Sequence, residues 1–196
     1  MFEELLRAKL AGICELSDER LCRLREHYEL LSRWNKVLNL TAIRTMEEAV
    51  ERHYCESLFV ASHLPESAAS VADAGSGGGF PGIPIAIVRP DCAVALIEAH
   101  QRKAVFLREA SRGLPNVHVI AKRIDQVREQ FEWVVMRAVR FSEVAASLKK
   151  LGRAAEILTG EVRPSDLPGF EWEPPIRLPW GENRYLWIGV SRETGS

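Results

Sequence analysis

Only four cysteines occur in the 196 residues, Cys14, Cys22, Cys55 and Cys92, and no two form a C-x-x-C pair. Zinc binding therefore has no support, and the four read as reduced, mostly packed thiols of a cytosolic protein. No run approaches the ~20 apolar residues needed to span a bilayer. The N-terminus, Met1-Phe2-Glu3-Glu4-Leu5-Leu6-Arg7, has acids where a signal peptide needs bases, so a cytoplasmic protein without a membrane partner is expected. Internal repeats and low-complexity segments are absent too. The length suits one full core, or one domain with an extension. A net charge of −1 conceals an uneven distribution: residues 1–98 hold 10 basic and 15 acidic groups, 99–153 hold 12 and 5, and 154–196 hold 4 and 7. The basic middle third is compatible with a polyanionic partner, and equally with ordinary solvated helices.

The first third reads as helical. Ser17 before Asp18 and Glu19 is an N-cap with acids in the first turn. Leu21, Leu24, Tyr28, Leu31, Trp34 and Leu38 then recur at steps of three and four, an amphipathic helix face. A second helix is expected from Met46 to about Leu64, and Pro65 closes this part, giving a helical extension over 1–65 and a core over 66–196. From residue 70 the pattern alternates. Strands are expected at Val71–Ala74, Ala93–Glu98, Val117–Ala121, Trp133–Met136 and Glu156–Leu158. Helical segments are expected at Ile83–Val88, Arg102–Arg112, Ile124–Val127 and near Glu143–Leu151. Such alternation predicts an α/β, doubly wound, mostly parallel sheet. Ile176–Leu178 and Tyr185–Val190, separated by Pro179-Trp180-Gly181-Glu182-Asn183, add an antiparallel hairpin at the end.

The most informative stretch is Ser70-Val71-Ala72-Asp73-Ala74-Gly75-Ser76-Gly77-Gly78-Gly79-Phe80-Pro81-Gly82, an apolar strand that runs through an acid into five glycines. Without a Cβ, glycine lets a ligand lie against bare backbone, and a strand, such a loop and a helix form a nucleotide-type site. No Gly-Lys-Ser or Gly-Lys-Thr follows, which excludes a P-loop. Gly77-x-Gly79-x-x-Gly82 fits the dinucleotide fingerprint formally. Pro81 and Pro84, however, remove amides from the first helical turn, where a pyrophosphate would dock. S-adenosylmethionine has no phosphate and wants acids near strand one and at the end of strand two. Asp73 and Glu98 stand there.

The chain closely resembles the small-subunit (16S) ribosomal RNA guanine-N7 methyltransferases, the glucose-inhibited division protein B family. The resemblance rests on Trp34-Asn35-Lys36 with Asn39-Leu40-Thr41, on Arg52-His53 with Ser57, and on the run from Asp73 to Pro84. It continues through Leu96-Ile97-Glu98, Lys103 with Phe106-Leu107, and Arg137-Ala138. It implies a Rossmann-like, seven-stranded S-adenosylmethionine-dependent methyltransferase fold with a helical cap. It also implies donor contacts at Gly75, Phe80, Ile124, Asp125 and Arg137, which join Asp73 and Gly77 of the loop and Glu98 at the end of strand two as expected donor-binding residues. The substrate it implies is 16S ribosomal RNA or an assembling small subunit, and the protein is expected to be a monomer. Where the family has Pro-Gly-Gly before strand five and Lys-Gly after it, this chain has Leu151-Gly152-Arg153 and Leu158-Thr159-Gly160.

Two absences after strand four bear on the chemistry. Met136-Arg137-Ala138 is not the Asn/Asp-Pro-Pro-aromatic clamp typical of exocyclic amine methylation. No cysteine lies in or after that strand to act as the nucleophile that pyrimidine C5 methylation needs. Guanine N7 carries an in-plane lone pair and no proton, so its methylation needs orientation more than a general base. No catalytic base is assigned, and Arg137 is the residue expected to orient donor or guanine. Two alternatives stay open: an NAD(P)-dependent oxidoreductase, from the formal glycine match, and a non-catalytic RNA-binding module, from the basic middle third and the altered strand-five region.

Overall fold

The computed structural model describes residues 1–137, 147–160 and 169–192. Two helices open the chain, α1 (Phe2–Leu10) and α2 (Asp18–Leu38). The Ser17 hydroxyl accepts the Arg20 amide at 3.3 Å and caps α2, as the Ser-Asp-Glu run predicts. α2 ends at Asn39, which adopts the left-handed conformation (φ 48°). The second helical segment is not one uniform helix. It consists of α3 (Met46–Ala49), a π-helical stretch (Val50–Cys55) and α4 (Glu56–His63). Apolar spacing near 3.6 does not reveal a widened turn, and such turns recur at functional sites.

The strands are β1 (Ser70–Ala74), β2 (Ala93–Ile97), β3 (Val117–Ile120), β4 (Phe131–Arg137), β5 (Gly152–Thr159), β6 (Phe170–Trp172), β7 (Ile176–Arg177) and β8 (Tyr185–Ser191). Helices α5 (Gly82–Val88) and α6 (Gln101–Ala110) follow β1 and β2. The order is β3-β2-β1-β4-β5-β8-β6, parallel through β5 and antiparallel beyond it, with β7 also paired to β8. The fold is thus the Rossmann-like mixed sheet with the expected terminal hairpin, β7–β8. Among the described residues, seven strands lie in continuous order and an eighth, β7, lies off that path. β6 was not anticipated, because three residues are too few for alternation to register. β5 extends further at both ends than Glu156–Leu158. The helix expected near Glu143–Leu151 is seen as a helical turn at 147–151, and its earlier part lies outside the described residues.

Two apolar clusters cover the sheet. One joins Leu6, Leu24, Leu31, Tyr54 and Leu58 of the N-terminal helices to Val71, Ile83, Leu96, Phe106, Val135 and Leu158. The other gathers Ala72, Ala74, Ala95, Ile97, Val134, Met136, Leu148 and Ile157. A parallel sheet buried on both faces needs apolar residues at successive positions, which is why β1, β2 and β4 read as continuous apolar runs. Strand order reverses between β1 and β4, and ligands of such sheets bind beyond the carboxyl ends of the strands at that point.

Candidate active site

The glycine loop occupies that place, and hydrogen bonds fix it at both ends. The Gly75 and Ser76 amides both donate to the Ile97 carbonyl at the end of β2 (2.9 and 3.0 Å). The Ser76 hydroxyl donates to the Asp73 carbonyl at 3.0 Å. At the far end the Gly82 amide donates to Asp73 Oδ2 at 2.9 Å. Asp73 is fully buried, and burial pushes its pKa up to about 7, against the opposing pull of the Gly82 amide. Its Oδ1 has no hydrogen-bond partner among the described residues. Glu98 braces the middle of the loop: Oε2 accepts the Gly77 amide at 3.0 Å and Oε1 the His100 amide at 2.8 Å. The two acids read as ligand contacts are therefore also the pegs that shape the loop.

Between the pegs the backbone stays open. Gly75 and Gly77 have positive φ (82° and 55°) and are only half-buried. A Cβ on Gly77 would meet nothing nearer than the Gly75 carbonyl at 3.9 Å. The start of α5 offers no free amides for a pyrophosphate. Gly82 is bonded to Asp73, the Ile83 amide donates to the Gly79 carbonyl at 2.8 Å, and Pro84 has none. Bare backbone, an orphaned buried carboxylate oxygen and an acid at the loop's edge fit S-adenosylmethionine better than a dinucleotide.

Phe80 does not stand free in a pocket. Its ring is 7% exposed and stacks on His53 (centroids 4.5 Å apart, planes at 15°), with Tyr54 and His27 edge-on at 5.1 Å. The sequence offers Tyr54 only as part of an apolar helix face and does not mark His27, yet the two tie the helical part to the loop. Burial pushes the His27 pKa down to about 4, so the ring is neutral at pH 7. Nε2 lies 3.1 Å from the Gly78 carbonyl and must carry the proton, which leaves Nδ1 to accept from the Tyr54 hydroxyl at 3.0 Å. His53 is likewise neutral: burial, and then the Arg137 charge, push its pKa down to about 3. Its Nε2 meets the Thr41 hydroxyl at 2.7 Å.

Thr41 is held in turn by Asn35. The Asn35 amide group donates to the Thr41 carbonyl (3.0 Å), and its oxygen accepts the Thr41 amide (2.9 Å). Asn35, Thr41, Lys36 and Arg44 also line a cleft of about 300 Å³. Asn35→Ala removes both bonds and is expected to cost about 2 kcal/mol, from two net hydrogen bonds and a newly unsatisfied buried group. A lower urea midpoint at unchanged slope checks this.

Arg137 ends β4, and its Nε stands 3.6 Å from Glu56 Oε2. Glu56 and Arg184, which sequence reasoning missed, form a closer pair: Arg184 Nε and Nη2 donate to the two Glu56 oxygens at 2.9 and 2.6 Å. Burial pushes the Arg137 pKa down to about 10, and the Glu56 charge opposes the shift. Ile124 and Asp125 lie apart, on a 3-10 turn (Ile124–Gln126) after β3. Ile124 packs against the cluster beneath β1 and β2, and Asp125 is exposed and paired with Arg123 at 3.2 Å. The structure thus gathers Asp73, Gly75, Gly77 and Glu98 around one loop, with Phe80 beneath it. Among the described contacts, none joins Asp125 to that group.

A sequence profile described as rRNA small subunit methyltransferase G matches residues 20–159. The chain is 40% identical over 155 residues to ribosomal RNA small subunit methyltransferase G of Nitrosomonas europaea, an alignment covering 76% of this chain and 72% of that protein. It is 41% identical over 139 residues to the protein of the same name from Chromobacterium violaceum, with coverage of 69% and 65%. Among solved structures, a SAM-dependent methyltransferase from Aquifex aeolicus superposes with a TM-score of 0.56 at 15% identity, covering 74% of this chain and 92% of that one. A mutant of MtNAS in complex with S-adenosylmethionine gives 0.54 at 19% identity, with coverage of 96% and 72%. These distant likenesses concern the fold, and none of the comparisons supports an oxidoreductase or a non-catalytic module. The profile spans well over half of the residues, and two relatives exceed 39% identity, so the chain belongs to the rRNA small subunit methyltransferase G family.

Proposed function

We propose that the chain transfers a methyl group to N7 of a guanine in 16S ribosomal RNA, free or in an assembling small subunit, and works as a cytoplasmic monomer. Family membership makes it an S-adenosylmethionine-dependent ribosomal RNA methyltransferase. The observation that carries the donor assignment is the open glycine backbone between Asp73 and Glu98, with every first-turn amide of α5 already used or missing. When bound, S-adenosylmethionine supplies a methyl carbon activated by its sulfonium.

The residues of the chain then have positioning roles. Gly75 and Gly77 admit the donor against backbone, Glu98 and Asp73 present carboxylates to it, and Ile124 with Asp125 flanks it from the turn after β3. Phe80 supports the loop through its ring and adds its backbone to the wall. Arg137 orients donor or base. The two histidines beside the loop are neutral, buried and hydrogen-bonded, which suits a transfer that removes no proton from the nucleophile before attack. Residues 1–65 form a helical extension on the core of 66–196, and its cleft with Lys36 and Arg44 offers cations to RNA phosphates.

Isothermal titration tests the donor assignment. Binding of S-adenosylmethionine and S-adenosylhomocysteine is expected, and binding of NADH in their place contradicts it.

A further inference from the structure

Arg137, Glu56 and Arg184 come from three separate parts of the chain: the end of β4, the first residue of α4 and the segment just before β8. Glu56 is 2% exposed and its neighbours Arg137 and Arg184 are 11% and 18% exposed. A charge so buried must be paired, and one carboxylate here serves two guanidinium groups. Arg184 occupies both oxygens of Glu56 in the bidentate arrangement that fits a planar fork to a carboxylate. Arg137 shares only Oε2, through Nε and at the longer distance. The group therefore carries one excess positive charge, and the excess falls on Arg137. Its Nη1 is buried and has no hydrogen-bond partner among the described residues. An anchored guanidinium with an unused donor, at the end of the strand beside β1, is arranged to receive an oxygen acceptor.

We propose that Glu56, locked by Arg184, is a positioning residue for Arg137: it fixes the guanidinium at the end of β4 through Nε and leaves Nη1 for the bound ligand. The inference rests on the proposed role of Arg137 in the site and deepens it. Glu56 touches no reacting atom. Its carboxylate sets the place and direction of a donor that does, and Arg184 keeps that carboxylate from turning to take Arg137 entirely. Arg137→Leu158→Leu186 is also a row of cross-strand neighbours, so the backbone of Arg137 is held by the sheet while Glu56 holds its head.

The test is a double-mutant cycle on the full chain. It is read as the rate of methyl transfer to 16S ribosomal RNA from a strain lacking the enzyme and as S-adenosylmethionine affinity, with thermal melts to confirm folding. Arg137→Ala and Glu56→Gln are each expected to lower the rate at least tenfold. The double variant should be no slower than Arg137→Ala alone, and Glu56→Asp should recover most of what Glu56→Gln loses. A merely structural role gives losses that multiply and no selective recovery by Asp. If Arg137→Ala is impaired but Glu56→Gln works normally, or if the losses multiply, the positioning inference is overturned and the role of Arg137 stands. If Arg137→Ala keeps the normal rate and affinity, that role fails, and this inference fails with it. Should Glu56→Gln not fold, Arg184→Gln replaces it in the cycle, and multiplying losses there overturn the inference equally.

Discussion

Gly82→Ala is expected to destabilise the protein by about 3 kcal/mol and to weaken S-adenosylmethionine binding at least tenfold. A Cβ at this position would lie 2.3 Å from Leu96 Cδ2, 2.7 Å from Asp73 Oδ2 and 2.9 Å from Asp73 Cβ. None of these neighbours can yield easily. Leu96 and Asp73 are fully buried on adjacent strands, paired with each other in the β1–β2 register. The first helical turn of α5 must therefore move off the sheet, and overpacking of this kind costs about 1–3 kcal/mol. The move also breaks the Gly82–Asp73 bond and strands a second oxygen of a buried carboxyl, for a further 1–3 kcal/mol or so. Because the same bond closes the far end of the glycine loop, stability and donor binding should fall together. Urea unfolding and isothermal titration on one preparation check both, and a normal urea midpoint contradicts the packing argument.

Glu156→Gln should act in the opposite direction and stabilise the protein at neutral pH. Glu156 lies in the middle of β5, between Val135 of β4 and Ile188 of β8, fully buried and with neither carboxyl oxygen hydrogen-bonded among the described residues. Burial pushes its pKa up to about 9 from the ordinary 4.5. Below pH 4.5 the group is protonated in both folded and unfolded chains and has no effect. Between pH 4.5 and 9 the folded protein keeps a proton that the unfolded chain has released, so stability falls by about 1.4 kcal/mol per pH unit. At pH 7 the accumulated cost is about 3 kcal/mol. Glutamine has a similar shape and cannot ionise, so the variant should recover that amount, which raises the melting temperature by roughly 6–12 °C for a chain of this size. The difference between variant and native protein should grow with pH from 4.5 to 9 and then level off. A difference that does not change with pH contradicts the assignment of a neutral buried acid.

What could be read from the sequence follows the reach of each signal. The stripe from Leu21 to Leu38 is local, has the helical period and ends at an asparagine that takes the left-handed turn, so α2 was legible almost to the residue. The glycine loop was legible because an unusual backbone demands an unusual composition, and Asp73 and Glu98 stood at strand ends that the apolar runs delimit. Their bonds to loop amides were not legible, since any acid there reads alike whether it meets a ligand or the backbone. The pair of Glu56 and Arg184 spans 128 residues, and nothing local in either segment points to the other. His27 falls on the buried side of a helix, where a histidine reads as packing, and only the fold shows that its proton goes to Gly78. The π-helical turn and β6 escape for a different reason: the first keeps its apolar residues inside, and the second has only three residues, too few for a repeated alternation.

The most direct test of the account is a map of N7-methylguanine in 16S ribosomal RNA from a strain lacking this protein. One N7-methylguanine should be missing, should return when the native protein is restored, and should stay missing with the Arg137→Ala variant. A methylation pattern that is the same with and without the protein contradicts the assignment of N7-guanine transfer.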